Sequence, residues 1–495
     1  MAEGGGNSVP LLARAPDEIL FRLPGQGVTA AAFLAAARAV AARLPPHGPA
    51  TAPFGAPLGA PPLGAPLGAP FGPPVGPPVV NLCTDRFAFA LGFAACLLRG
   101  RVSLLLGDRS APRLAALAAA YPGLHALIDA PTPELALPAT MVGTEAPDAA
   151  PSGGPPPAFP AARLAAIVFT SGSTGEPVGH RKSWGALAAR SIDAGRRFRM
   201  RPERPAAIVA TVPPYHMYGF ETSVLLPLHA AAASWCGPAF YPVDIAAALA
   251  ASPAPRVLVT TPLQLRALLA APGGLPELAR VISATAPLPV EMAAAAERRW
   301  GTEVWEIFGA TEVGSIASRR TVAGEVWQSY PRVRLRPAPG EAAAGAGAAA
   351  AKNDPLAAGV AVHAPHAPPW PLSDRLELRG PTRFRLLGRR TDLVKLGGRR
   401  VSLAALTRIL TGIEGVEDGV FVAPDDLENE PTARLLAFAV APRLTAEDIL
   451  AALRTRIEPL FLPRRVVRVA RLPRDPLGKL PAGALAALRA QADDA

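Results

Sequence analysis

Cysteine is scarce in this 495-residue sequence: Cys83, Cys96 and Cys236 stand far apart, with no CxxC pair. An odd, scattered set excludes a disulfide framework and a cysteine-rich zinc module, and it fits a reducing compartment. Long apolar runs are missing too. The most apolar segment, Phe87 to Leu98, sits between Arg86 and Arg99 and is shorter than the roughly 20 residues of a membrane helix. Met1 to Pro10 shows no basic stretch ahead of an apolar one, so no secretory signal is visible and a cytoplasmic location is expected. Lysine is the rarest of the common charged residues: Lys182, Lys352, Lys395 and Lys479 are four of fifty basic side chains. Where arginine has replaced lysine nearly everywhere, a surviving lysine marks a place that needs a compact ammonium rather than a planar guanidinium.

What is plentiful is apolar and turn-forming. Hydrophobic residues are 50% of the chain and charged residues 18%, which supports a large buried core. At roughly 100–200 residues per domain, the length suggests two to four domains. Glycine (45) and proline (59) together make up about a fifth of the chain, so much of the backbone is loop. The net charge of +11 suits phosphate-bearing or acidic partners such as nucleotides, CoA or an acidic carrier protein. No basic cluster is interleaved with aromatics, so nucleic acid is not expected as a partner.

Phe54 to Pro78 is a Gly-Ala-Pro-Leu near-repeat, too rich in proline to build a core, and reads as a surface loop. A second biased stretch, Arg336 to Val360, is Ala/Gly-rich and also reads as loop. Elsewhere short β-rich runs alternate with Ala/Leu-rich helical ones. Pro78–Leu82, Val102–Leu106, Ala165–Phe169, Ala207–Thr211 and Val257–Thr260 are expected strands, and Ala111–Ala120 and Leu263–Ala271 expected helices. That alternation implies an α/β fold of layered, mainly parallel sheets. After Gly388 the texture changes to strands at Gly419–Val422, Leu435–Val440 and Arg465–Val469. They enclose a helix capped by Thr445 and Asp448, with Ile449, Leu450, Leu453 and Ile457 on one face. The expected organisation is a large α/β domain over 1–388 and a small α+β domain over 389–495, joined by a hinge.

One loop invites a chemical reading. Thr170-Ser171-Gly172-Ser173-Thr174-Gly175 follows an apolar strand and offers four hydroxyls and two glycines, which suits backbone and hydroxyl donation to phosphate. It lacks the closing GK[ST] of a Walker loop and is not a G-x-S-x-G elbow. A solvated Ser/Gly turn is the plain alternative. The loop is followed in order by Pro213-Pro214-Tyr215-His216-Met217-Tyr218-Gly219, Ser283-Ala284-Thr285-Ala286-Pro287 and Phe308-Gly309-Ala310-Thr311-Glu312. Asp374 comes next, then Gly388-Arg389 through Lys395, then Leu472 through Lys479.

That ordered set, from about Ala165 to the end of the chain, resembles the adenylate-forming superfamily of acyl-CoA synthetases, aryl-acid ligases, adenylation domains and luciferases. The resemblance implies an enzyme that uses ATP and Mg²⁺ to activate a carboxylic acid, fatty or aryl. The acid becomes an acyl adenylate, and its acyl group then passes to the thiol of CoA or of a carrier protein's phosphopantetheine. It implies that Thr170, Ser171, Gly172, Ser173, Thr174 and Gly175 cradle the β- and γ-phosphates and that Thr311 bonds the α-phosphate. Glu312 would hold Mg²⁺, and Asp374 and Arg389, fifteen residues apart, would bind the ribose. Ser283 to Pro287, Ala284 among them, would line the adenine slot, Phe308 would belong to the nucleotide site, and His216 would gate the acyl pocket. Lys479 would bridge the attacking carboxylate and the α-phosphate, and Lys395 would face the site when the small domain has turned.

Two departures stand out. Val178 occupies the place where the family usually carries a lysine after the loop's proline, and the nearest lysine is Lys182, which either reaches back or leaves the loop without that charge. Thr391 stands where a charged hinge residue is common. A non-catalytic nucleotide- or acyl-binding relative of the same fold is the competing reading, and the acid itself has no diagnostic motif.

Overall fold

The computed structural model describes residues 8–46, 76–145, 155–171, 177–338, 359–389, 393–396, 399–423, 434–474, 478, 480 and 482–493. Two large sheets dominate. The first has six strands in the order 177–183, 164–171, 103–105, 79–81, 125–128 and 139–141. Its five strands from 164–171 onward run parallel, and the edge strand Pro177–Ser183 folds back antiparallel as a hairpin. The second has eleven strands. Its centre is parallel: 303–310, 280–283, 256–260, 206–210, 232–235 and 19–23. Antiparallel strands extend it on both sides, ending with Asp374–Leu378 at one edge and Gln26–Thr29 at the other.

The fold is therefore α/β with layered sheets, as the alternation of runs implies, and the helices bear this out in detail. Ala111–Ala120 is a helix with those ends, and the expected helix at Leu263 is Pro262–Ala270, where Thr261 caps and proline takes the first turn. Helix Arg86–Leu98 is apolar on nearly every face because it lies wholly inside. Phe87, Phe89 and Phe93 join Phe21, Phe33, Phe220 and Trp184 in one aromatic-rich core. No helix among the described residues is long and apolar enough to cross a membrane. Cys83, Cys96 and Cys236 are buried and free.

Beyond residue 400 a three-stranded sheet of Asp418–Val422, Leu436–Val440 and Arg465–Arg468 carries helices Leu403–Thr411 and Ala446–Arg454. Two apolar clusters are drawn entirely from this part of the chain. The Thr445 and Asp448 capping box forms as its S/T-x-x-D spacing suggests. Ile449 and Leu453 are buried on the expected face, but the helix ends at Arg454, so Ile457 reaches the same cluster from the turn that follows.

Only the ends of the two low-complexity stretches are among the described residues. Residues 54–75 lie outside the described residues, and the body resumes at Gly76. Arg101, almost fully buried, donates from Nη1 to the Pro77 carbonyl at 2.7 Å and from Nη2 to those of Pro45 and Pro46 at 2.9 and 3.2 Å. One guanidinium thus holds both ends of the insert together, because its planar fork meets three carbonyls at once. Likewise Arg336 and Pro337 belong to strand Arg334–Pro337, Val360 opens its partner Val360–His363, and 339–358 lie outside the described residues.

This clamp makes a prediction. Deleting residues 50 to 72 should leave the melting temperature within a few degrees and the activity unchanged, since the ends already meet. Arg101→Ala should cost about 1.5–3 kcal/mol by removing the charge-assisted hydrogen bonds that tie Pro77 to Pro45 and Pro46. Thermal denaturation checks both, and a larger loss from the deletion than from Arg101→Ala would show that the insert itself packs.

Candidate active site

The motif residues gather where parallel strands end. Ala206–Ala210, Arg256–Thr260, Arg280–Ser283 and Glu303–Ala310 lie side by side and point the same way. Thr211 to His216, Ser283 to Thr285 and Thr311–Glu312 all follow their carboxyl ends. Open α/β sheets bind ligands in this place, because loops diverge there and leave a crevice.

Tyr218 ties this edge together. Its buried hydroxyl lies 2.9 Å from the Ile282 carbonyl and 3.2 Å from that of Thr260, joining the His216 segment to two strand ends. Burial raises the Tyr218 phenol well above its usual range, so it stays a neutral donor. His216 opens the short helical turn Met217–Gly219 and is half-buried, its ring 4.8 Å from that of Tyr215. The Arg109 guanidinium covers the other ring at 3.7 Å. A Cβ on Gly107 would lie 3.3 Å from His216 Cε1, so loops from both large sheets meet at the histidine.

Ser283 is fully buried and its hydroxyl has no partner among the described residues. Ala284 is buried beside it, and Thr285 has φ +81°, a left-handed conformation that a β-branched residue adopts only under constraint from its surroundings. Sequence reading names the segment but gives no sign of that strain. Phe308 is 9% exposed and packs on Trp327 and Phe384 at 5.8 and 5.7 Å between ring centres. It anchors the strand just before the turn.

That turn, Thr311 to Val313, joins strands Glu303–Ala310 and Gly314–Arg320. The Val313 amide closes it onto the Ala310 carbonyl at 3.0 Å. Thr311 and Glu312 are half-buried. Lys182, from the hairpin strand of the other sheet, is 4% exposed and donates from Nζ to the Glu312 carbonyl. Burial lowers its pKa to about 8 against the pull of the Glu221 and Glu312 carboxylates, with Arg190 lowering it further. Glu221 lies in the π-helical turn Phe220–Leu225, also buried. It accepts from the Ser315 amide at 3.0 Å and from the Ser315 hydroxyl. Burial raises its pKa. Sequence reading missed Glu221: nothing local distinguishes it from a solvated glutamate.

Asp374 and Arg389 are brought opposite each other as register partners of the antiparallel pair Asp374–Leu378 and Arg383–Arg389. Fifteen residues of sequence thus become one cross-strand pair, about 5 Å between backbones. Thr170 and Ser171 end strand Leu164–Ser171, and Lys395 lies on strand Leu393–Leu396. Gly172, Ser173, Thr174, Gly175 and Lys479 lie outside the described residues.

The comparisons settle the family. The AMP-binding enzyme family matches residues 76–347, more than half of the chain. The chain belongs to the AMP-binding enzyme family. A 4-coumarate–CoA ligase of Rhodobacter capsulatus is 30% identical over 294 residues, 59% of this chain and 67% of that protein. Another 4-coumarate–CoA ligase, from Halorhodospira halophila, is 31% identical over 255 residues, 50% of this chain and 56% of its own length. Among solved structures, ATP-bound MatB from Rhodopseudomonas palustris superposes with a TM-score of 0.74 at 20% identity, covering 97% of this chain and 96% of that one. MenE from Bacillus subtilis with its acyl-adenylate intermediate gives 0.75 at 17% identity, covering 97% and 98%. At such identities the structures establish the fold, over nearly the whole length.

Proposed function

We propose that this chain is an ATP-dependent acid–thiol ligase that makes an acyl adenylate and then a CoA thioester, with an aryl acid as the substrate class. The observation that carries the proposal is the gathering of Thr311, Glu312, Ser283 and His216 at one carboxyl edge, with Lys182 reaching the Glu312 carbonyl from the other sheet. The two 4-coumarate–CoA ligases favour an aryl over a fatty acid, and CoA over a carrier-protein phosphopantetheine. The buried, unpaired thiols suit a reducing, cytoplasmic setting.

In the first step a carboxylate oxygen attacks the α-phosphorus, and the bond to pyrophosphate breaks. In the second the thiol loses its proton, its sulfur attacks the acyl carbonyl, and AMP leaves with the bonding pair. Both steps join or separate anions, so the protein must supply positive charge and donors more than a covalent nucleophile. Thr170 to Gly175 hold the β- and γ-phosphates, Thr311 donates to the α-phosphate, and Asp374 and Arg389 hold the ribose. Ser283, Ala284 and Phe308 shape the adenine side, and His216 closes the acyl side. Lys479 bridges the carboxylate and the α-phosphate.

The donor set also fits a hard cation. Glu312 is a half-buried carboxylate next to a threonine hydroxyl, and no cluster of three or more acidic, histidine or cysteine ligands exists among the described residues. Such a site leaves most ligand positions to phosphate oxygens and water, as Mg²⁺ prefers. Bound there, the ion offsets charge on the triphosphate.

Residues 389–495 act as a mobile unit that presents Lys479 for the first step and the Lys395 face for the second. Thr391→Pro fixes φ near about −65° at the hinge. It should keep pyrophosphate exchange and lose most thioester formation, as separate assays of the half-reactions will show. Survival of both steps would place the hinge elsewhere.

The proposal as a whole is tested by ATP–pyrophosphate exchange over a panel of aryl, fatty and short-chain acids, followed by mass spectrometry with CoA or a loaded carrier protein. Exchange with aryl acids and a CoA product is expected. No exchange with any acid would favour the non-catalytic, nucleotide-binding reading.

A further inference from the structure

Beneath the Thr311–Glu312 turn lies a pair of buried charges that the reaction as derived above does not use. Lys182 comes from the hairpin strand Pro177–Ser183, in register with Ala166 at the point where the ladder shifts. Glu221 comes from a different element, the π-helical turn Phe220–Leu225. The two converge on one target. Lys182 holds the Glu312 carbonyl from one side, and Glu221 holds the Ser315 amide and hydroxyl from the other. The contact leaves no slack, for a Cβ on Gly314 would fall 2.2 Å from Glu221 Oε1.

A buried carboxylate alone in this position is unfavourable twice over. It loses solvation, and it lies under a turn that must receive a triphosphate. Nearby positive charge answers both problems, and Arg190 and then Lys182 supply it at longer range. Val178 meanwhile leaves the phosphate loop without the lysine that the family commonly has there.

Resting on the ligase reading, we propose that Lys182 and Glu221 form a buried positioning pair. They fix the Thr311–Glu312 turn so that its hydroxyl and carboxylate meet MgATP in one geometry. Lys182 is a positioning residue and not a catalytic one. It acts on the triphosphate through the main chain of Glu312.

The pair is tested with Lys182→Met, Glu221→Gln and the double variant, using three readouts. Calorimetry measures binding of MgATP and of adenosine, pyrophosphate exchange gives kcat and the acid's KM, and thermal denaturation gives stability. Lys182→Met should weaken MgATP at least tenfold and lower kcat at least tenfold. Adenosine affinity and the acid's KM should stay within twofold. The double variant removes the stranded charge, so its melting temperature should recover toward that of the unaltered protein while MgATP affinity and kcat stay low. Recovery of all three in the double variant would reduce the pair to a structural role and overturn the proposal. Unchanged MgATP binding in Lys182→Met would do the same. Because nucleotide binding is read without turnover, failure of the ligase reading shows separately, as an absence of exchange in the unaltered protein.

Discussion

Lys479→Ala is expected to lower acyl-adenylate formation by on the order of 10²–10³, the loss of about 2.7–4 kcal/mol that follows removal of one donor to developing charge. Two anions must meet at the α-phosphorus, and the ammonium is proposed to touch both. The thiol step from supplied acyl adenylate has no such encounter, so it should fall less than tenfold. Far-ultraviolet circular dichroism and melting temperature should match the unaltered protein, since the role proposed for Lys479 is toward substrate and not toward the fold. Single-turnover assays of the two half-reactions decide the point: equal losses in both would remove Lys479 from the role given to it. The scarcity of lysine adds weight, for three of the four lysines lie in or beside the motif segments.

Gly314→Ala should be nearly as damaging, for a different reason. Gly314 has φ +93°, and its missing Cβ leaves room for the Glu221 carboxylate. A methyl group there adds backbone strain of about 1–3 kcal/mol and must displace either Glu221 or the turn. Since Thr311 and Glu312 lie on that turn, a shift near 1 Å at the reacting centre is enough to cost about 10²-fold in rate. Pyrophosphate exchange should fall by that order, and the melting temperature by several degrees. Gly324→Ala serves as the control. Gly324 has φ +121° but open space around its Cβ, away from the turn. It should lose stability alone. A Gly314→Ala enzyme with undiminished exchange would mean that the turn's position is not what orients the triphosphate.

Local patterns are legible in the sequence. Helix Ala111–Ala120 and the Thr445–Asp448 box depend on residues within a turn or two of each other, so sequence carries them. The chemical motifs were readable for a similar reason: each is a short string at the end of a strand, and their order survives along the chain. What could not be read depends on distant contacts. The hairpin of Ile19–Leu23 and Gln26–Thr29 completes the larger sheet because Ile19–Leu23 pairs with Ala232–Trp235, some two hundred residues on. Arg101 looks like any surface arginine until its three carbonyl partners are known. Lys182 and Glu221 are the sharpest case. Lysine abundance singles out the first, but only the meeting of two sheets shows that it serves Glu312 and not a solvated strand edge.

The central claim, activation of a carboxylate through an acyl adenylate, is tested most directly with an aryl acid carrying ¹⁸O in both carboxylate positions. Incubation with ATP, Mg²⁺ and CoA, followed by mass spectrometry of the nucleotide, reads the path of one oxygen. If the carboxylate attacks the α-phosphorus and AMP later leaves from the acyl carbon, one ¹⁸O per turnover appears in AMP and none in pyrophosphate. Formation of ADP with label in inorganic phosphate, or thioester formation without labelled AMP, would contradict the account.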